Sequence, residues 1–343
     1  MGSTRHCIAG IFVAAFALAV PRHAVAQTLN DVHFTDYTPL SSNMELARRL
    51  LTPLTSAALP DLVAKSGRRL SEQPVDLAQE SFVVYVPALK PAQGYGLLVF
   101  VPPWNEAKIP PEWTDMLDQY GLIFVSAAKS GNDANPIGRR EPLAVLAEQN
   151  IAKRYPLDPA RIYVSGFSGG SRIAMRLALG YPDIFRGAIL NSGSDPIGDA
   201  IVPLPPKDLF ALFQDRSHLV YLTGERDMFV LQADAASRRA MRDWCVFNVD
   251  YRAMSGAGHE VASAAMLGRA LDILAKSPEP DEADLAQCRL ATEAALAAKV
   301  QSVKSLIAAG KRDDARALLT EMDGHFGGLA APEIVALAKN LAP

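Results

Sequence analysis

Ser168 stands in the run Gly166-Phe167-Ser168-Gly169-Gly170. An apolar, β-branched stretch at 161–165 leads into it and a helix-like pattern follows, so the G-x-S-x-G spacing falls between a strand and a helix. The glycines have a chemical reason. A nucleophilic serine on a sharp, strained turn needs small neighbours two residues either side, so that strand and helix can pass close together. A helix starting at the serine also aims free backbone N–H groups at any negative charge that develops there. A glycine-rich turn would match the same five letters, and the strand and helix around it are what favour a nucleophile.

A serine hydroxyl is a poor nucleophile at neutral pH and needs a base, usually histidine, oriented by a carboxylate. Beyond residue 26 the chain has four histidines, His33, His218, His259 and His325. His218 opens a strand at the end away from Ser168, and His33 and His325 lie outside the strand-rich region. His259 ends the glycine-rich run Ser255-Gly256-Ala257-Gly258-His259, just after the last strand and before a helix, where a base belongs in the order serine, acid, histidine. The acid should lie between them at the end of a strand. Asp227, in Thr223-Gly224-Glu225-Arg226-Asp227, is the first choice, with Glu225 and Asp195 as rivals. Glu260 reads as a helix-start residue interacting with the helix dipole.

The elements that must position these groups begin at residue 82. Strand candidates are 82–86, 97–101, 122–126, 161–165, 187–190, 219–222 and 249–253, and helical patterns occupy 143–154, 168–179, 231–245 and 261–275. Such alternation predicts an α/β fold, a mostly parallel sheet with helices on both faces and its ligand site at the carboxyl ends of the strands. Residues 27–80 read as a helical lead-in, with Ser42-Asn43 capping a helix and Pro53 and Pro60 breaking the pattern.

Ser168, Asp227 and His259 in this order on this strand pattern resemble the α/β-hydrolase superfamily. The run from Asp158-Pro159-Ala160-Arg161-Ile162-Tyr163-Val164 through the serine turn to Tyr181-Pro182-Asp183-Ile184-Phe185 looks like secreted polyhydroxybutyrate-depolymerase-type and feruloyl-type serine esterases. The resemblance covers roughly 81–276 and is most specific at the turn. It implies hydrolysis of a small-molecule or polymer-end carboxylic ester by acyl-enzyme chemistry, without a metal or organic cofactor. A serine peptidase or acyltransferase using the same triad stays open, as does a non-catalytic binding or scaffold protein on a hydrolase fold.

One departure from that family bears on catalysis. Those hydrolases carry a His-Gly pair after the strand equivalent to 97–101, where this chain has Val101-Pro102-Pro103-Trp104-Asn105. Proline has no N–H, so Pro102 and Pro103 cannot donate to an oxyanion. One donor is expected from the backbone of Gly169 and the second from Trp104 or Asn105, by backbone or by the Asn105 amide. The polar run Lys129–Pro136, with Arg139 and Arg140 behind it, is placed either to line the pocket and bind a substrate carboxylate or to be an exposed polar loop before a helix, and Asn191–Asp195 leaves the same two readings open. Pro203-Leu204-Pro205-Pro206 reads as a short insertion.

The ends of the chain carry other signals. Arg5 and His6, an apolar run from Ile8 to Val20, and Ala24-Val25-Ala26 form a secretory signal peptide over 1–26. The run is too short to span a bilayer, so a secreted or periplasmic protein with no membrane contact after cleavage is expected. Losing Arg5 and Arg22 turns 34 basic against 37 acidic residues into 32 against 37, which gives no reason to expect nucleic acid as a partner. In an oxidising compartment Cys245 and Cys288 point to a disulfide, with two buried thiols as the alternative. After a break at 277–282, residues 283–343 predict a helical appendage of three helices, packed on the body and open to a contact with another protein.

Overall fold

The computed structural model describes residues 2, 25–276 and 281–341; most of the signal-peptide segment and residues 277–280 lie outside them. Eight strands form one sheet among the described residues: β1 (Gln27–Val32), β2 (Phe82–Val86), β3 (Tyr95–Val101), β4 (Leu122–Ala127), β5 (Leu157–Phe167), β6 (Gly187–Asn191), β7 (His218–Gly224) and β8 (Val249–Met254). Their order across the sheet is β1-β2-β4-β3-β5-β6-β7-β8. β1 and β2 run antiparallel to their neighbours, and the rest of the sheet is parallel. This strand order, with a serine turn after β5, is the α/β-hydrolase fold.

Eleven α-helices accompany it among the described residues: α1 (Asn43–Leu50), α2 (Pro53–Lys65), α3 (Trp113–Tyr120), α4 (Glu141–Arg154), α5 (Gly169–Gly180), α6 (Lys207–Arg216), α7 (Met228–Asp243), α8 (Ala264–Leu274), α9 (Glu282–Ala308), α10 (Arg312–Phe326) and α11 (Glu333–Asn340). None is long and apolar enough to cross a membrane. β3 and β7 are buried along their whole lengths, as parallel strands covered on both faces must be. Side-chain alternation then divides the core. Leu98, Phe100, Phe124, Tyr163, Ile189, Val220 and Leu222 face α3 and α8, through Trp113, Leu117, Leu267 and Leu271. Leu97, Val99, Val101, Val164, Leu190 and Tyr221 share the opposite core with α1, α4, α5 and α6.

The seven expected strands are present, with ends shifted by up to four residues. β1 was not foreseen within the lead-in. Its sequence, Gln-Thr-Leu-Asn-Asp-Val, is polar because it is an exposed edge strand with a single partner. Helices α3 and α6 were also unforeseen. α1 is fixed to the body by Arg49, whose side chain is only 5% exposed. Its guanidinium bonds Glu45 at 2.6 Å, both carboxylate oxygens of Asp183 at 2.6 and 2.9 Å, and lies 4.5 Å over the Tyr181 ring.

The carboxyl-terminal helices belong to the same core. Val300, Val303, Leu319, Met322, Phe326, Ile334 and Leu337 join the cluster that covers the α5 face of the sheet. Residues 202–206 form their seat: Val202 and Leu204 are buried, and Gly328 N–H donates to Leu204 O at 2.7 Å. His325 packs on Trp244, ring centroids 5.0 Å apart, and Asp323 accepts a hydrogen bond from Leu54 N–H at 2.9 Å. Cys245, just after α7, is bonded to Cys288 in α9.

Two stability predictions follow from this packing. Because the Cys245–Cys288 bond closes a loop whose ends lie 43 residues apart, the double variant Cys245→Ser/Cys288→Ser should lose about 2–4 kcal/mol in a urea-unfolding measurement. Glu148, on α4, has its carboxyl raised to about 7, by burial first and by the negative charge of Asp183 second. A carboxyl raised above its unfolded value of 4.5 leaves stability intact below that value and withdraws it as pH climbs through 7. Glu148→Gln should therefore raise the melting temperature by roughly 2–4 °C at pH 8.5 and leave it unchanged at pH 4.

Candidate active site

β5 ends at Phe167 and α5 begins at Gly169, so Ser168 alone makes the turn. Its backbone has φ 55° and ψ −122°, a conformation that costs a non-glycine residue on the order of 1–3 kcal/mol and persists only where the surroundings dictate it. They do so here by backbone contact. A methyl group on Gly166 would sit 2.3 Å from the carbonyl of Gly170, and one on Gly170 would sit 1.9 Å from the carbonyl oxygen of Val101 at the end of β3. Below the serine, its N–H donates to Asn191 O at 2.9 Å, and Gly193 leaves room for the Ser168 carbonyl.

The three residues singled out by their order lie within hydrogen-bond reach. His259 Nε2 is 2.9 Å from Ser168 Oγ, and His259 Nδ1 is 2.5 Å from Asp227 Oδ2. A carboxylate at Nδ1 fixes the tautomer with the proton on that nitrogen and leaves the Nε2 lone pair for the serine hydroxyl. The Asp227 side chain is 9% exposed and that of His259 44%, so the carboxylate is sheltered while the imidazole faces solvent. The Phe167 ring lies under the imidazole at 4.9 Å between centroids.

The acid and histidine loops are laced together. Arg226 N–H donates to Ala257 O at 2.9 Å and the Arg226 guanidinium to Gly256 O. Glu225, the rival acid, accepts from the Ser255 hydroxyl and the Gly256 N–H, both at 3.0 Å, so its carboxylate is a strap between the loops. Asp195, the other rival, faces Arg172 at 3.5 Å. The buried Asn191 amide accepts from Ala262 N–H at 2.7 Å and donates to Leu222 O and Glu260 O, and the Trp113 indole donates to Ala262 O at 2.8 Å. Asp234, buried in α7, accepts from Ser194 and Thr223 at 2.5 and 2.6 Å and so ties the ends of β6 and β7. Burial pushes its carboxyl up, and these hydroxyl donors pull it back.

On the oxyanion side, the Gly169 N–H is one of the unpaired donors that open α5. The Asn105 amide is committed elsewhere: Oδ1 accepts from Gly131 N–H at 3.1 Å and Nδ2 donates to Asp133 at 3.3 Å. That leaves, on this segment, the backbone N–H groups of Trp104 and Asn105 and the buried Trp104 indole N–H, none of which has a partner among the described residues. The Trp104 ring packs between Phe100 and Phe167, beneath the Lys108 ammonium.

The pair Arg139-Arg140, for which a substrate carboxylate was one of two readings, is turned inward. Arg139 bridges to Glu80, and the buried Arg140 donates to Ser130 O at 3.0 Å and Pro102 O at 2.9 Å, clamping two site loops to each other. The same loops bring Asn132 against Gly169, where its amide fills the space a side chain at 169 would need. Asn132 belongs to the polar run already noted, but only the tertiary placement of that run reveals the contact. No group of three or more histidine, cysteine or acidic side chains suited to a metal ion occurs among the described residues.

No family model matches the chain. A poly(3-hydroxybutyrate) depolymerase of Ralstonia pickettii is 31% identical over 98 residues, which is 24% of this chain and 20% of that protein, so the likeness spans about one fifth of the depolymerase. Among solved structures, a ferulic acid esterase aligns at 18% identity over 57% of this chain and 91% of its own, with a TM-score of 0.45. A dipeptidyl peptidase 4 from Porphyromonas gingivalis aligns at 15% identity over 63% of this chain and 39% of its own, with a TM-score of 0.43. The fold rests on the strand order and serine turn of this chain itself.

The elbow can be tested by itself. Gly170→Ala drives a methyl group into the Val101 carbonyl, a backbone atom that cannot swing aside. The variant should lose about 1–3 kcal/mol of stability by denaturant melt, and Ser168 should react at least tenfold more slowly with a phosphonate probe.

Proposed function

We propose that the chain is an exported serine hydrolase that cleaves carboxylic esters through an acyl-enzyme on Ser168. The observation that carries this reading is the continuous hydrogen-bond chain Ser168 Oγ–His259–Asp227, at 2.9 and 2.5 Å, on a strained elbow. A binding protein has no use for that alignment, which argues against the scaffold alternative.

His259 Nε2 removes the hydroxyl proton as Ser168 attacks the ester carbonyl, and Asp227 stabilises the imidazolium that results. The oxyanion of the tetrahedral intermediate is held by the Gly169 N–H and by an N–H of Trp104 or Asn105. His259 then returns the proton to the leaving alcohol. Water, activated by the same imidazole, releases the acid and regenerates the serine. The likeness to a depolymerase of a polyester favours an ester over a peptide bond. Export is supported by the basic start, short apolar run and Ala24-Val25-Ala26, and the Cys245–Cys288 bond suits an oxidising compartment.

The deciding experiment is fluorophosphonate labelling of the purified protein beside Ser168→Ala and His259→Ala. Labelling of the wild type is expected, with none in Ser168→Ala and a rate lowered by at least about 10³ in His259→Ala. Aryl esters of short acids should then turn over faster than matched amides. A folded wild type that takes no label would end the enzyme reading, and amide turnover equal to ester turnover would replace the esterase with a peptidase.

A further inference from the structure

Four of the eight buried side-chain polar atoms that lack a hydrogen-bond partner among the described residues gather at the amino ends of neighbouring strands. They are Arg186 Nη1, Ser217 Oγ, His218 Nδ1 and Asn248 Nδ2. They come from neighbouring strand starts: Arg186 precedes β6, Ser217 and His218 open β7, and Asn248 precedes β8. Backbone bonds from His218 N to Arg186 O (3.1 Å) and from Leu219 N to Asn248 O (3.0 Å) hold these starts side by side. Buried polar groups nearly always find a partner, so a concentration of exceptions marks a place where the partner comes from outside the chain.

A pocket of about 630 Å³ opens at the same end of the sheet, with Arg161, Arg186, Arg216, His218 and Lys276 on its walls; of the four residues, Arg186 and His218 line it and Ser217 and Asn248 do not. Its acids are already paired. Asp158 is held by Arg161 at 3.1 Å, Asp215 by Arg289 at 2.8 Å, and nearby Asp250 by His218 at 2.9 Å and Arg252 at 3.2 Å. Arg186, Arg216 and Lys276 have no ion pair among the described residues, and the Arg186 guanidinium makes one contact, a 3.4 Å bond from Nε to Pro159 O. The Asp250 carboxylate holds the His218 proton on Nε2, so Nδ1 is an acceptor and the buried donor facing the pocket is Arg186 Nη1. Water alone would satisfy it but leave three positive charges together. An anion with several oxygens would satisfy both, and a guanidinium fork matches such a group in shape.

We propose that this notch is a second binding site, independent of the triad, for a small solute carrying a phosphate or a cluster of carboxylates, seated on Arg186 and closed over by Arg216 and Lys276. It lies at the far end of the strands from Ser168. β7 runs about 20 Å from the notch at His218 toward the Asp227 loop, so the ligand would brace the starts of β6, β7 and β8 without touching the esterase centre.

The test uses the full chain, titrated with inorganic phosphate in one arm and citrate in another, against potassium chloride at matched ionic strength. The readouts are thermal unfolding and calorimetry. A saturable rise in melting temperature is expected in at least one anion arm and not in chloride, and the arm that saturates at lower concentration identifies phosphate or carboxylate as the group recognised. Arg186→Gln should abolish saturation. Should Arg186→Gln not fold, Arg216→Gln/Lys276→Gln, altered only at exposed side chains, decides the matter with a dissociation constant weakened by at least about tenfold. Phosphonate labelling of Ser168 should be unchanged in every folded variant. An equal rise in chloride, no saturation in either anion, or unaltered affinity in the variants would overturn the proposal and leave a water-filled notch.

Discussion

Gly170 has no room for a single methyl group, and much of the site depends on that contact. The first turn of α5 lies against the Val101 carbonyl of β3 so closely that backbone meets backbone. With helix and strand pressed together, the residue between β5 and α5 has nowhere to go but the strained conformation that lifts its hydroxyl off the sheet. The strain of Ser168 is therefore held by packing, and no side-chain bond to the serine is needed to hold it. The same approach sets the first turn of α5 against Val101 and Pro102, and the next glycine, Gly169, lies against the Asn132 amide.

What surrounds the elbow is a set of loops with little regular structure, fixed by polar side chains that do not themselves react. Arg140 joins the loops after β3 and β4, Asn191 joins β6 to the histidine loop, Glu225 joins the acid loop to the histidine loop, and Asp234 joins the ends of β6 and β7. Each bonds loop backbone or loop-end hydroxyls, so each fixes where a loop runs. A histidine on a glycine-rich loop has many conformations open to it, and two neighbouring loops bonded to each other have far fewer. Preorganisation at this site is thus a property of the straps as much as of the three residues in line.

Parts of this were legible in the sequence. Parallel strands buried on both faces announce themselves as short apolar runs, and a G-x-S-x-G turn has its own spacing, so the strands from 82 onward and the tight turn at Ser168 could be read directly. The order of serine, acid and histidine could be read because each follows a strand. The edge strand β1 could not, because a strand with one exposed side has no need of an apolar pattern. Nor could the fate of Arg139 and Arg140. Two arginines behind a polar loop look the same in sequence whether they face substrate or turn inward, and only the positions of Glu80, Ser130 and Pro102 in space settle it. The Asn105 amide is a similar case, since its partners on residues 131 and 133 are distant in the chain.

The carboxyl-terminal helices show how a break in composition differs from a break in the core. Residues 277–282 interrupt the helical pattern, and a sequence reader sees an appendage there. Yet Leu319, Met322, Phe326 and Ile334 lie in the same apolar cluster as Val99 and Leu190 of the sheet, and the chain at 202–206 is shaped to receive Gly327 and Gly328. Along α9 the burial is partial: Leu285, Val300 and Val303 are buried, while Leu290 is exposed. The outer surface of α9 carries ion pairs, Lys299 with Glu321 and Lys304 with Glu333, of the kind that face water. The helices form a further covering on the α5 face. Arg289 bonds Gln214 and Asp215 of α6, and His325 and Cys288 hold Trp244 and Cys245 just past the end of α7.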